Sequence, residues 1–293
     1  MDRLILHNDA IRDAGDKLTS PGQVGLMNGW GVFSTLRISD GVPFAFERHW
    51  ARMRRDAQLM HVPFPDDAEL FRSRLLELVE ANGAFNATLR VAVVRNQGGP
   101  FEGPAMDRKY DVIAFTTGLT DWPASVALAM KADARHAKSE FAGTKILSWS
   151  FNLTWNEQAH ERGFDEVVLL NERGEVAECT SANIFTIEGS QVWTPPLSSG
   201  CLPGVTRAVL LEEIRVPGVT IAEKTLMPAD LERADRVFIT STTRDVLPVR
   251  LIETLHVRQQ GEPVLHALRE AFTTNRNNYV AEKASVVISL NQR

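Results

Sequence analysis

The chain lacks most of the residues and runs that announce a common chemistry. Its 293 residues include two cysteines, Cys179 and Cys201, too few for a disulfide framework or a four-ligand zinc site. Seven histidines show neither HExxH nor any other tight ligand spacing, so no metal is expected. No stretch approaches the roughly 18 uninterrupted apolar residues of a membrane span; Ala124 to Met130 is only a strand-sized run. The opening, MDRLILHNDAIRDAGD, has no basic-then-apolar leader pattern. A basic surplus is missing too: 32 Lys and Arg against 37 Asp and Glu give −5, which counts against nucleic-acid binding. There is no P-loop, no GxGxxG and no GxSxG elbow. What remains is an average globular recipe, 44% hydrophobic and 24% charged. A soluble protein of a reducing compartment, the cytoplasm, is the expectation.

Strands and helices mix irregularly along the chain, with no fixed-period repeat. Strands are expected at Leu4–His7, Val32–Ile38, Val42–Phe46, Thr88–Arg95 and Asp111–Thr117. Phe46, Trp50, Met53, Ala57 and Met60 form an apolar stripe at helical spacing. A second helix covers about Asp67 to Asn82, ended by Gly83. The pattern changes around Gly118 to Ser125, which places a small N-terminal α/β domain at 1–118, a linker at 119–125 and a larger domain at 126–293. The larger part opens with a strand at Val126–Met130 and a long polar loop from Lys131 to Gly143. A helix follows from about Ser150 to Arg162, with Gly163 at its C-cap. Further strands are read at Glu166–Leu170, Glu175–Glu178, Ile184–Ile187, Val192–Thr194 and Val237–Thr240, with a helix at Arg207–Ile214. The class is α+β, or mixed α/β, in two domains.

Four places carry possible chemistry. Gly204-Val205-Thr206, before a helix, offers backbone N–H groups and a hydroxyl to an anion; taken alone, it is as well a turn glycine and a helix cap. Thr240-Ser241-Thr242-Thr243 closes a strand with four hydroxyls, suited to a phosphate or to an ordinary polar turn. Lys145 lies among apolar neighbours, where a buried amine would serve imine chemistry and a snorkelling one would not. Glu178 ends a strand, where surface exposure is the plainer expectation; pointing inward it would need a partner, because an unpaired buried carboxylate is costly.

In order and spacing these pieces resemble the class IV aminotransferases, the fold-type IV pyridoxal-phosphate enzymes, over nearly the whole chain. Gly29-Trp30-Gly31-Val32-Phe33 is similar to the family's GDGVF, and Phe46-Glu47-Arg48-His49-Trp50-Ala51-Arg52-Met53 to its EHLxRL helix. Lys145, Ala159, Gly163-Phe164-Asp165-Glu166 and Gly174 through Phe185 resemble K…A…GxDE…GxVxExSxxNxF. Thr194-Pro195, Leu202 to Arg207 and Ser241-Thr242-Thr243 through Pro248-Val249 complete the match.

The resemblance implies a pyridoxal 5'-phosphate (PLP) enzyme with its active site between two domains and completed by a second subunit, hence a homodimer. Lys145 is similar to the lysine that forms the internal aldimine and shuttles a proton. Glu178 matches the carboxylate beside the pyridine nitrogen, which favours the electron-drawing protonated ring. Arg52 matches the phosphate arginine; Gly204, Val205, Thr206, Ser241 and Thr242 are implied in the cofactor site, with Ser181 and Asn183 supporting the strand beside Glu178. Candidates for substrate contact are Phe33, Thr35, Arg37, Arg90, Arg135 and Thr243. Two departures stand out: Trp30 replaces the family's aspartate, and the tyrosine that often meets the cofactor ring oxygen is replaced by Phe33 or Ser150, the only tyrosines being Tyr110 and Tyr279.

Within the family, Ser241-Thr242-Thr243 resembles the SSTT of D-amino-acid aminotransferases, whereas Phe33-Ser34-Thr35-Leu36-Arg37 and Val94 to Gly99 look like the FTTxR and SRGxGG of aminodeoxychorismate lyase. The strand Thr88–Arg95 lacks the YIRP-like pattern of typical branched-chain enzymes. The leading expectation is a transaminase passing an amino group from an amino acid or amine to a 2-oxo acid. The lyase, which eliminates pyruvate to leave 4-aminobenzoate, is the alternative, and a non-catalytic PLP-binding protein a remote third.

Overall fold

The computed structural model describes residues 1–100, 102–104 and 107–290. They group into two compact units: Met1–Thr120 with Lys145–Trp149 and the chain from Asn278 on, and Asp121–Thr144 with Ser150–Asn277.

The first unit is built on a six-stranded sheet of β1 (Leu4–His7), β2 (Ala10–Asp13), β3 (Gly31–Ser39), β4 (Val42–Pro43), β5 (Ala87–Arg95) and β6 (Tyr110–Thr117), in the order β2-β1-β6-β5-β3-β4. Every neighbouring pair is antiparallel. Its helices are α1 (Val24–Asn28), α2 (Phe46–Leu59) and α3 (Ala68–Ala81). The apolar stripe of α2 does what its spacing predicts: Phe46, Met53 and Ala57 are buried against Leu36, Leu89 and Val93 of the sheet, and Trp50 and Met60 flank them. Asp67 caps α3 by accepting from the N–H groups of Glu69 and Leu70.

A second stripe on α2 escaped the hydrophobic pattern. His49, Arg52 and Asp56, also at helical spacing, are buried as well. The strand expected over Val42–Phe46 stops at Pro43, because Ala45 takes a left-handed φ of 54° and Phe46 already starts the helix.

The second unit carries β7 (Val126–Arg135), α4 (Ser150–Glu161), β8 (Glu166–Asn171), β9 (Val176–Cys179), β10 (Asn183–Glu188), β11 (Gln191–Thr194), α5 (Val205–Glu212), β12 (Thr220–Glu223), α6 (Pro228–Arg233), β13 (Arg236–Ser241), β14 (Asp245–Ile252) and most of α7 (Glu262–Leu290). Its sheet runs β12-β11-β10-β13-β14-β7-β8-β9. The pairs β11–β12, β14–β7 and β7–β8 are parallel and the rest antiparallel. Phe185 and Phe238 stack in its core with ring centroids 5.0 Å apart.

The mixed α/β class read from the sequence is what the chain adopts. Three local expectations change. β7 does not end at Met130: Lys131 pairs with Leu169 and, past an irregularity, Arg135 with Asn171, so backbone bonding carries a polar, partly exposed strand through part of the expected loop. The helix expected to start at Arg207 starts at Val205. Residues 145–149, expected in the larger domain, group with the first unit, because Ile146 bridges to Val32 and the Leu147 N–H donates to the Gly31 carbonyl at 2.9 Å.

Candidate active site

In the first unit, Lys145 is pinned by its backbone on both sides. Its N–H donates to Asp56 Oδ2 at 3.0 Å, and its carbonyl accepts from the Phe33 N–H at 3.1 Å. The amine, Nζ, lies 4.4 Å from the centroid of the Phe33 ring and 5.7 Å from that of Trp149. The Arg90 guanidinium shares the same two rings, at 4.1 and 5.7 Å. Burial pulls the Arg90 pKa down. Two cationic side chains thus lie against the same pair of aromatic rings. Thr35 is the cross-strand partner of Arg90, and Arg37 that of Thr88.

Arg52 stands on α2 one turn before Asp56. Its Nη2 donates to Ser34 Oγ at 2.9 Å, and Ser34 Oγ lies 2.8 Å from His49 Nδ1. Burial lowers the Arg52 pKa to about 10, against the pull of the Asp56 carboxylate, so the group stays cationic at neutral pH. His49 is held well below its ordinary value, first by burial and then by the Arg52 and Lys145 charges. Asp56 also accepts from Arg55 Nε at 2.9 Å.

The second unit brings together another set. Glu178 accepts from Arg135 Nε at 2.9 Å through one oxygen and from the Leu202 N–H at 3.0 Å through the other. Arg135 Nη1 further donates to Asn152 Oδ1 at 3.3 Å. Asn183 Nδ2 donates to the Leu202 carbonyl at 2.9 Å. These bonds fix the loop before α5, whose first turn holds Val205 and Thr206 with Gly204 as N-cap. A Cβ on Gly204 would lie 2.0 Å from Asn183 Oδ1, so only glycine lets the backbone pass here. Glycine also brings no side chain to cap the α5 amides, which remain donors for an anion.

At the end of β13, Ser241 Oγ lies 3.4 Å from Thr243 Oγ1 and accepts from the Arg244 N–H at 3.2 Å. The Arg244 side chain reaches Glu166 Oε2 at 3.1 Å and Ser181 Oγ at 3.0 Å, and Ser181 Oγ donates to Glu166 Oε2 at 2.5 Å. This buried pair ties the hydroxyl turn to β8.

The sequence reading passed over Ser34, His49, Asp56, Trp149, Glu166 and Arg244. Ser34, His49 and Glu166 stand within the family-like blocks without a role being given to them, and the spacing of His49, Arg52 and Asp56 beside the apolar stripe was the signal for Asp56. Trp30 is a packing residue: its indole N–H donates to the Met60 carbonyl at 2.7 Å, and the Arg95 guanidinium lies 4.0 Å from its ring centroid. Tyr279 donates to Glu47 Oε2 at 2.7 Å.

The family model for amino-transferase class IV matches residues 31–252. The chain belongs to the amino-transferase class IV family. Among its curated relatives is the D-alanine aminotransferase of Listeria innocua, 26% identical over 287 residues, covering 96% of this chain and 94% of the relative. Among solved structures it resembles the branched-chain amino acid aminotransferase of Escherichia coli, with a TM-score of 0.84 at 22% identity, over 93% of this chain and 94% of that one. A hypothetical aminotransferase from Mycobacterium tuberculosis in its PLP-bound form gives 0.80 at 22% identity, over 93% and 100%.

This class IV aminotransferase family member is a PLP-dependent enzyme, and its residues fit that cofactor. Each unit holds groups of the kind such a cofactor needs: the first a buried guanidinium at Arg52 and the Lys145 amine, the second the α5 amides and Thr206 hydroxyl, which suit a phosphate, and the anchored Glu178 carboxylate.

Proposed function

We propose that the chain is a transaminase, moving an amino group from an amino acid or amine to a 2-oxo acid in two half-reactions with Lys145 as the catalytic residue. The observation that carries this reading is the placement of Lys145: its backbone is fixed at both polar atoms and its amine rests on the Phe33 ring, which the Arg90 guanidinium also contacts. PLP supplies, when bound, an electrophilic carbonyl and a ring that accepts electron density from the substrate Cα.

Arg52, Gly204, Val205, Thr206, Ser241 and Thr242 bind the phosphate in this reading, and Glu178 faces the ring nitrogen, held from behind by Arg135. Lys145 Nζ takes the proton from the substrate Cα and returns it, and a backbone fixed at both ends keeps that amine in reach. Phe33 and Trp149 give the amine an aromatic lining. Of the three arginines considered for the substrate carboxylate, Arg90 is supported by sharing the Phe33 and Trp149 rings with Lys145, whereas Arg135 is engaged with Glu178. Thr35, opposite Arg90 on β3, lines the same strand pair. Arg37 and Thr243 remain substrate-contact candidates in this proposal.

The lyase reading is favoured by one observation: β3 and β5 pair over their full lengths, so the Phe33–Arg37 block lies beside the strand that leads into Val94 to Gly99. The visible spectrum of the purified, cofactor-loaded protein separates the two. L-leucine, L-glutamate, D-alanine and R-1-phenylethylamine are added separately without acceptor. A transaminase loses its visible band to a near-ultraviolet one with at least one donor, which also names its stereochemical class. A band unmoved by all four, with pyruvate released from aminodeoxychorismate, establishes the lyase. A colourless protein that borohydride does not label at Lys145 overturns both.

We also propose a cytoplasmic homodimer. Phe151 and Leu153 on α4 are 73% and 56% exposed, large apolar groups suited to a subunit interface. Among the described residues no helix is long and apolar enough to cross a membrane. Both cysteines are free and buried, as suits a reducing compartment.

A further inference from the structure

We propose that Ser34 and His49 are positioning residues for Arg52, forming a one-way hydrogen-bond relay that fixes the guanidinium for the cofactor phosphate. The inference rests on the reading of Arg52 as the phosphate arginine.

The direction of the relay follows from which groups can donate. A guanidinium only donates, so at 2.9 Å Ser34 Oγ must accept from Arg52 Nη2. Ser34 has one proton left to give, and the group 2.8 Å away is His49 Nδ1. Ser34 Oγ has a second lone pair as well, but among the described groups its side chain meets only Arg52 and His49, so its proton finds an acceptor only if Nδ1 accepts, which puts the His49 proton on Nε2. The surroundings enforce the neutral ring: His49 is buried, and the nearby positive charges of Arg52 and Lys145 oppose protonation.

A protonated His49, or the other tautomer, would point a proton at the Ser34 hydroxyl and force it to turn away. Ser34 would then lose the lone pair that meets Arg52, or its own proton would be left without an acceptor. His49 Nε2 is buried and finds no hydrogen-bond partner among the described groups. An apolar residue at 49 would avoid that orphaned donor but leave Ser34 without its acceptor.

Ser34 is fully buried on β3, in register with Val91 of β5, and His49 and Arg52 stand three residues apart on α2. The relay thus fastens a long, flexible side chain to the rigid sheet before any ligand arrives. That lowers the ordering cost of binding an anion.

The test is titration of the full-length apoprotein with PLP and, separately, with pyridoxal, which lacks the phosphate, followed by tryptophan fluorescence. Ser34→Ala is expected to weaken PLP about tenfold, the loss of one hydrogen bond to a charged group, while pyridoxal affinity stays within about twofold. His49→Asn, whose amide oxygen can replace the Nδ1 acceptor, is expected to restore PLP affinity to near that of the unaltered protein. His49→Leu should behave like Ser34→Ala. Nitrogen-15 spectra should show His49 with an unprotonated Nδ1 and a protonated Nε2. The relay is overturned if Ser34→Ala binds PLP normally, if it loses PLP and pyridoxal equally, or if His49 carries its proton on Nδ1. Arg52→Ala separates the parent reading: unchanged PLP affinity there overturns the phosphate assignment itself, whereas a loss there without one in Ser34→Ala overturns only the relay.

Discussion

At the scale of single residues, the division of labour between Glu178 and Arg52 can be measured. Glu178→Gln removes the charge of a carboxylate held by Arg135 and the Leu202 amide but keeps an acceptor for that amide, and so leaves the proposed phosphate donors in place. The protein should keep its bound cofactor and lose turnover by about a hundredfold or more, the scale for deleting one preorganised electrostatic group. Arg52→Ala should instead lower cofactor retention on dialysis; equal cofactor loss in both variants would show the roles misassigned. Asp56 offers a second test, because it joins the Lys145 N–H to α2 across 89 positions of sequence. Asp56→Ala strands that N–H and removes the carboxylate that favours the buried Arg52 guanidinium, and a stability loss of about 2 kcal/mol is expected in urea unfolding. Asp56→Asn keeps an acceptor and should recover part of the loss. A midpoint unmoved by Asp56→Ala would mean that the lysine segment is held elsewhere.

At the scale of elements, what could be read from the sequence was whatever chemistry restricts to few residue types or periodicity restricts to few positions. Lys145, Glu178, the helix stripe from Phe46 to Met60 and the turn at Gly204 belong to that group. The polar stripe on α2 was illegible because buried polar side chains are recognised only by their partners: Ser34 is 15 residues from His49 in sequence and 2.8 Å away in space. The extension of β7 to Arg135 was illegible because its last residues stay partly exposed and owe their strand geometry to β8. β14 was hidden by Pro248, which nevertheless lies opposite Phe238 within the sheet. The β8–β9 turn shows how local polar bonding stabilises an element. Glu175 is held down to about 2, mainly by Arg173 and further by Asn171 and Ser199, with burial opposing. A carboxylate with a depressed pKa contributes stability that is complete above its unfolded value near 4.5 and disappears as pH falls toward about 2. Glu175→Gln should therefore flatten the stability profile between those two pH values and leave its neutral-pH slope unchanged. An unchanged acid limb would show that the turn carries no such linkage.

At the scale of the whole molecule, a homodimer predicts elution of active enzyme at twice the 32.6 kDa chain mass. Placing charge on the exposed face of α4, as in Phe151→Glu with Leu153→Glu, should shift the protein toward the monomer and lower its activity together. Active protein eluting at the monomer mass would remove the dimer. The composition of the first unit has a consequence of another kind. Its six strands are all encoded by residue 117, yet the bridge to Val32 comes from Ile146, and the hydroxyl that meets the Phe46 amide and Glu47 comes from Tyr279. During synthesis on the ribosome this unit lacks these fastenings when its last strand emerges, and the Tyr279 hydroxyl arrives only after some 160 further residues are made. Messages truncated just before Tyr279 would release chains whose second unit is nearly complete and whose lysine-bearing unit is still missing its final fastening.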